Sequence, residues 1–359
     1  MIFSFIVYLS IILNSSVGFA GTVADLESAA RKEGSLNVFS NGLAYGDILV
    51  KAFEEKYPEL KIKRTAFEAA GPRYFMHNMM ESEKESARAD VVFRCQDRDL
   101  PEWVENDWLA ELDELPDWAQ HAKRIEDDKR YVYFLGAPHV VFYNPAKIKE
   151  SDLPKSYDEI LDPKWKGKLA MRSPLRGNAG AFFVHFIQST RGDLSWYEKF
   201  GNNKPFIGQS GYSVHEAVES GKALVGLSRD VEVISFANDY KKKTGRTSQL
   251  KYKILENESP YQYQLFLVNK GAPHSAAAKL FANWLLSSEA TAVLEKAGFS
   301  VGERQKTQFA HKNLWQWELN KVKRFFRYES DLATAYRKLK TGGAQFESES
   351  KQHFVMAGD

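Results

Sequence analysis

Residues 156–188, SYDEILDPKWKGKLAMRSPLRGNAGAFFVHFIQ, decide how the rest of the chain is read. The spacing predicts a short helix over 157–161, a turn at Asp162 and Pro163, and an apolar strand over 168–171. A loop and a helix over 178–188 follow. That helix carries Ala179, Ala181, Phe182, Phe183, Val184, Phe186 and Ile187 on nearly every face, as a helix buried between layers does. It opens off the loop Ser173, Pro174, Leu175, Arg176 and Gly177.

Such a junction leaves the first N–H groups of the helix unpaired and aimed outward, with the positive end of the helix dipole behind them. This arrangement binds anions. Arg172 and Arg176 stand beside it in sequence, and a guanidinium adds charge-assisted hydrogen bonds to a carboxylate or phosphate. The same pattern also fits an ordinary solvated loop.

Residues 153–168 (LPKSYDEILDPKWKGK) resemble the segment that opens the second domain of periplasmic solute-binding proteins of ferric-iron-type ABC importers, extracellular solute-binding protein family 1. Residues 268–289 (VNKGAPHSAAAKLFANWLLSSE) resemble a second block of that family, in the expected order, and weaker likeness extends over about 35–305. The resemblance implies an α/β, type II periplasmic binding fold: two sheets flanked by helices and joined by two crossing strands. It also implies a monomeric carrier that serves an ABC permease in the inner membrane.

Composition agrees with a globular chain, neither disordered nor fibrous. Of 359 residues, 43% are apolar and 27% charged, enough for one large or two ordinary domains. A formal net charge of +2 gives no electrostatic case for nucleic acid or for general membrane adhesion. Residues 1–20 contain no charged side chain, are apolar from Ile2 to Leu13 and end on Gly18, Phe19 and Ala20. They read as a secretory signal peptide cleaved after Ala20, although the usual basic start is missing. The apolar run is about a dozen residues, short of a membrane span. Cys95 is the only cysteine, so no intramolecular disulfide forms. A large exported chain without disulfides fits the bacterial periplasm.

Before the central stretch, helices are expected over 22–34, opened by Thr22 with Asp25 and closed by Gly34, over the residues following Asn41-Gly42 up to Pro58, and over 73–86. Strands are expected over 35–40, 61–67 and 90–93. This β-α-β-α-β rhythm predicts a parallel sheet covered by helices. After it, a helix over 194–200, a strand over 223–227 and strands over 250–255 and 261–268 are expected. Ser213 with Glu216 reads as a capping box for a helix over 214–220 ended by Gly221. Crossings near 140–144 and 262–267 divide the chain into a first lobe (21–139 and 266–359) and a second (140–265). The helical tail over 307–340 is expected to pack on the first lobe.

In such sheets ligands gather beyond the carboxyl ends of the strands. That rule nominates the loops carrying Ser40, Asn41, Arg94, Arg172, Arg176, Ser210, Ser213, Arg229 and Asp230, with Tyr143 and Tyr261 at the crossings, and the resemblance implies that the loop with Gly177 and Asn178, like that with Ser210, binds the anion. Arginines, serines and helix N-termini suit a carboxylate, phosphate ester or phosphonate. Asp230 could take hydroxyls or an ammonium at the ligand's far end. No metal or cofactor motif is read: His215-Glu216-Ala217-Val218-Glu219 is only half a zinc motif, and no nucleophile-elbow or phosphate-loop pattern occurs. The resemblance implies two adjacent tyrosines after the 223–227 strand in iron carriers, where this chain has Arg229-Asp230-Val231-Glu232. The sequence therefore predicts a non-enzymatic, periplasmic substrate-binding component of an ABC importer that captures a small anionic organic solute by hinge closure. The alternatives are a ferric-iron carrier using a synergistic anion and a ligand-sensing subunit docking to a membrane receptor.

Overall fold

The computed structural model describes residues 21–66, 88–95, 100–118, 129–255, 258–299 and 328–348. The expected signal peptide, the helix over 73–86 and most of the tail before 328 lie outside them.

The described residues begin with α1 (Val23–Glu33), β1 (Ser35–Ser40), α2 (Ala44–Lys56) and β2 (Lys61–Ala66). The expected capping box is present: Thr22 Oγ accepts from the N–H of Asp25 at 3.3 Å, and Gly34 closes α1 at φ 67°. Next come β3 (Val91–Cys95), α3 (Leu100–Glu105) and the long β4 (Tyr131–Tyr143). The sequence places Arg94 and Cys95 in a loop, but they continue β3, paired with Leu265 and Gln264.

A 3-10 turn, Glu159–Leu161, stands where a helix over 157–161 is expected, and a second, Pro163–Trp165, forms at and beyond the expected turn. They lead into β5 (Leu169–Arg172), α4 (Gly177–Arg191), α5 (Ser195–Asn202), β6 (Phe206–Gly208), α6 (Gly211–Ser220) and β7 (Val225–Arg229). Then follow α7 (Asp230–Thr244), β8 (Lys251–Ile254), β9 (Tyr261–Val268), α8 (Ser275–Leu285) and α9 (Ser288–Lys296), with α10 (Tyr328–Gly342) and β10 (Gln345–Phe346) at the end. Helix α7 is a finding the sequence reading lacks. Its signals are present, with acids Asp230 and Glu232 in the first turn, three lysines in the last and Gly245 beyond at φ 72°.

Among the described residues the strands run β10-β6-β5-β7-β4-β9-β3-β1-β2, with β8 also on β4. The two expected sheets are thus joined edge to edge through β4. Its residues 131–138 pair with β9, whereas His139–Tyr143 pair with β7 and Val140–Tyr143 with β8. The switch falls between Pro138, opposite Tyr261, and His139, opposite Arg229. The return crossing, expected inside 262–267, lies instead between β8 and β9, because β9 pairs along its length with β3 and β4.

Each half has its own apolar core. Leu36, Val38, Phe53, Phe93, Phe266 and Phe281 centre the first; Val141, Tyr157, Phe183, Ile187, Trp196 and Phe200 centre the second. Helix α7 touches both, since Val231 packs in the first core and Val233 against the second half. Ser235 of α7 accepts the N–H of Ala44 at the start of α2, 3.1 Å away.

The end of the chain corrects an expectation. Helix α10 packs on α4 and α5 of the second half, not on the first, and β10 pairs in parallel with β6. Ala335 and Leu339 bury into the second core. Close approach also requires glycine: a Cβ on Gly201 would stand 2.7 Å from the carbonyl of Leu339, and one on Gly342 2.3 Å from that of Glu198.

Candidate functional site

The parallel strands β5, β6 and β7 end side by side at Arg172, Gly208 and Arg229, and a helix begins just beyond each. Three helix N-termini therefore gather along one edge, and they are satisfied differently.

Helix α7 is closed by its own acids. Glu232 Oε2 accepts from the N–H of Arg229 at 3.4 Å and from Ser228 Oγ at 2.7 Å, and Asp230 Oδ1 takes the N–H of Val231 at 2.5 Å. Arg229, 3% exposed, donates to Glu232 Oε1 at 3.0 Å and to Gln262 Oε1 at 2.9 Å. Arg172 stands 3.8 Å from the same Glu232 oxygen. Burial by itself would raise the Glu232 carboxyl. The charges of Arg229 and Arg172, with hydrogen bonds from Arg229 and Ser228, outweigh it and hold the group well below the carboxylate range. Arg229 and Asp230, expected to face a solute, are buried parts of this ion-paired junction.

Helix α6 is closed twice. The capping box is Ser210 with Ser213, one turn before the expected Ser213 with Glu216, and the N–H of Ser213 donates to Ser210 Oγ at 3.0 Å. In addition Glu347, just beyond β10, accepts from the N–H of Gln209 at 2.7 Å and from Ser213 Oγ at 2.8 Å.

Helix α4 follows Arg176 with no side-chain cap. Arg176 Nε donates to Gln209 Oε1 at 3.0 Å, and the turn before it is fixed by Arg176 N–H on Ser173 O at 2.9 Å. Gly180 lets the helix lie on this loop, since a Cβ there would sit 3.0 Å from Ser173 O. Gly177 and Asn178 open α4 as expected; their side-chain surroundings lie outside the described residues.

The remaining expected residues separate from this group. Ser40 is buried and accepts Arg64 Nε at 3.1 Å. Asn41 donates to the Tyr45 hydroxyl at 2.5 Å, and that hydroxyl donates to Gln264 Oε1 at 2.8 Å. Arg94 lies on β3 in the first half. Tyr143 is at the wrong edge: β4 runs antiparallel to β7, so His139 is opposite Arg229 while Tyr143 is opposite Val225, at the far end. Its hydroxyl donates to Glu150 at 3.0 Å. Tyr261 does sit at the crossing, where it packs over Gly136; a Cβ there would stand 1.3 Å from the Tyr261 hydroxyl.

Two histidines flank the buried charges. His139 stacks on Phe182 and Phe183 at 5.5 and 5.4 Å between ring centroids, and burial together with the Arg229 charge pushes its imidazole down to about 3. His215 lies between Phe142 and Phe236, its Nδ1 2.5 Å from Gly211 O, and burial lowers it too.

Sequence reasoning missed Glu232, Gln209, Gln262 and Glu347. The first was legible as the third residue of a helix after a strand; Glu347 gives no local signal.

Residues 40–292 match the family described as Bacterial extracellular solute-binding protein, well over half of the chain. The chain belongs to that family. It is 25% identical over 172 residues to the Fe(3+)-binding periplasmic protein of Serratia marcescens, a match covering 46% of this chain and 49% of that relative. The chain thus spans about half the length of the curated relatives it matches. Among solved structures it is similar to iron-bound HitA from Pseudomonas aeruginosa, with TM-score 0.63 and 20% identity over 86% of this chain and 99% of that one. It is also similar to the periplasmic binding protein AfuA from Actinobacillus pleuropneumoniae with exogenous fructose-6-phosphate bound, with TM-score 0.58 and 18% identity over 85% and 97% of the two chains. At these identities the likeness establishes the fold, a two-lobed type II periplasmic binding protein.

Proposed function

We propose that this family member is the periplasmic substrate-binding component of an ABC importer, without enzymatic activity, and that it captures a small anionic organic solute for an inner-membrane permease. The observation that carries the reading is the start of α4. It has no side-chain cap, it lies beyond the carboxyl end of β5, and Arg176 precedes it, with Arg172 ending the strand. Backbone N–H groups with a guanidinium suit a carboxylate, phosphate ester or phosphonate. Gly177 and Asn178 supply the backbone donors, while Ser210 and Ser213 stand at the neighbouring helix start.

Among the described residues the two halves meet at the β4 switch, at the segment before β9 and along α7, an arrangement that suits hinge closure. A solute touching both halves favours the closed form by its differential affinity for it.

The ferric-iron alternative draws support from the Serratia marcescens relative and from iron-bound HitA, as those proteins are named. Against it, α7 begins with arginine and acids and no tyrosine pair. Thermal unfolding with phosphorylated sugars, phosphonates, carboxylates and Fe(III)-citrate separates the readings. A true ligand stabilises by about 2.7 kcal/mol at a hundredfold excess over Kd. Loss of that gain in Arg176→Ala supports the anion reading. A visible charge-transfer band on adding iron, retained in Arg176→Ala, overturns it.

A further inference from the structure

Glu347 lies beyond the residues that match the family. Its N–H donates to Ile207 O at 2.9 Å, continuing the β10–β6 ladder, and the adjacent Phe346 packs on Tyr336 of α10 with ring centroids 4.8 Å apart. The strand thus delivers a carboxylate to the start of α6, where Gln209 N–H and Ser213 Oγ hold it. Gln209 is also the residue whose side-chain oxygen accepts from Arg176. One residue therefore links the guanidinium proposed to grip the solute with an internal anion at the next helix N-terminus along the same edge. A second negative group brought there would meet donors already taken and a fixed negative charge.

We propose that Glu347 is a specificity-determining residue of this site. It closes the α6 N-terminus with a carboxylate of the chain itself, so that the cleft accepts a solute with a single anionic group, seated at α4, and rejects one that presents a second anion at the start of α6. The inference rests on the α4 site proposed above. Without the carboxylate, Gln209 N–H, Ser213 Oγ and the helix dipole form a position for a phosphate-like dianion, as helix N-termini do when their N–H groups are unsatisfied.

The test is inorganic phosphate titrated at constant ionic strength into the full chain, followed by thermal unfolding and calorimetry, for wild type, Glu347→Ala, Glu347→Gln and Glu347→Ala with Ser213→Ala. Glu347→Ala should respond to phosphate at a concentration at least tenfold lower than wild type. Glu347→Gln, which keeps an acceptor for Gln209 but loses the charge, should gain about threefold, and it keeps the test decisive if the alanine variant folds poorly. Adding Ser213→Ala should cancel the alanine gain. Phosphate responses of both Glu347 variants equal to wild type, or a gain that survives Ser213→Ala, overturn the proposal. Loss of solute binding in Arg176→Ala with no gain in either Glu347 variant keeps the α4 site and removes the role of Glu347. A gain at Glu347 with solute binding untouched in Arg176→Ala removes the α4 site and, with it, the selectivity.

Discussion

Helices α4 and α7 begin at the carboxyl ends of neighbouring strands in the same half of the sheet, yet one is sealed from within and the other is not. At α7, Glu232 and Asp230 take backbone N–H groups, and Glu232 pairs with Arg229 and stands 3.8 Å from Arg172. At α4 the residue that precedes the helix, Arg176, makes no side-chain cap bond to it, and no acid stands in its first turn. Equivalent topology thus yields a structural junction in one place and, in the function proposed above, a binding position in the other. The difference is whether the sequence supplies its own carboxylate three residues into the helix.

The sharpest way to break this contrast is to remove the internal acid. Glu232→Gln should cost about 3–5 kcal/mol of unfolding free energy, because it leaves buried guanidinium charge without its anion. Urea unfolding measures it. A loss under about 1 kcal/mol would mean that the junction is not held by this charge, and the distinction from α4 would fail.

Acid titration offers a second, smaller handle. His139 has its folded pKa depressed to about 3, chiefly by burial, so below its unfolded value near 6.5 the unfolded chain binds the extra proton. Stability should therefore fall as pH drops from about 6.5 toward 3, by about 2 kcal/mol from this group at pH 5. Glu232 works in a different window. Its folded pKa is also depressed, so its contribution is complete above the ordinary carboxylate range and is lost only as pH falls through that range toward its folded value. His139→Phe should flatten the pH 7 to 5 slope relative to wild type, leaving the part due to the lowered His185 and His215. An unchanged slope would show that the imidazole is hydrated and the crossing loosely packed.

Much of this was readable in advance, for reasons specific to each element. The apolar run of α4, broken only by His185, with Gly177 before it and Gly192 after it, leaves little choice but a buried helix, and β5 and the loop follow from it. By contrast α7 mixes buried Val231, Val233, Ser235 and Phe236 with partly exposed residues, because it packs on two cores at once, and so it shows no single apolar stripe. Tyr143 was misplaced because only strand direction decides which end of β4 faces the site. Glu347 acts across 134 residues of separation from Ser213, and nothing local marks a glutamate after a two-residue edge strand. The charges could be found by composition; which of them neutralise one another required the register.

Arg176→Ala probes the unsealed helix directly. Affinity for the captured solute should fall about tenfold or more, equivalent to about 1.4 kcal/mol, while stability without ligand moves by less than about 1 kcal/mol. Calorimetry with whichever compound emerges from the ligand screen reads the first quantity, and urea unfolding reads the second. A large stability loss with unchanged affinity would place Arg176 in the same structural class as Arg229.

The smallest expected effect sharpens the contrast from the capped side. Ser210→Ala removes the acceptor for the Ser213 N–H and should cost about 1 kcal/mol, the usual worth of such a cap. If the Glu347 carboxylate shares the sealing of α6, as its bonds to Gln209 and Ser213 indicate, the cost should be larger in a Glu347→Ala background, because the helix start then loses both acceptors. A double-mutant cycle in urea reads this coupling, expected at about 0.5 kcal/mol or more for groups sharing partners. Strict additivity would mean that the serine box closes α6 by itself and that the carboxylate is a bystander at that helix. The α6 N-terminus would then be sealed by the Ser210–Ser213 box, which α4 lacks.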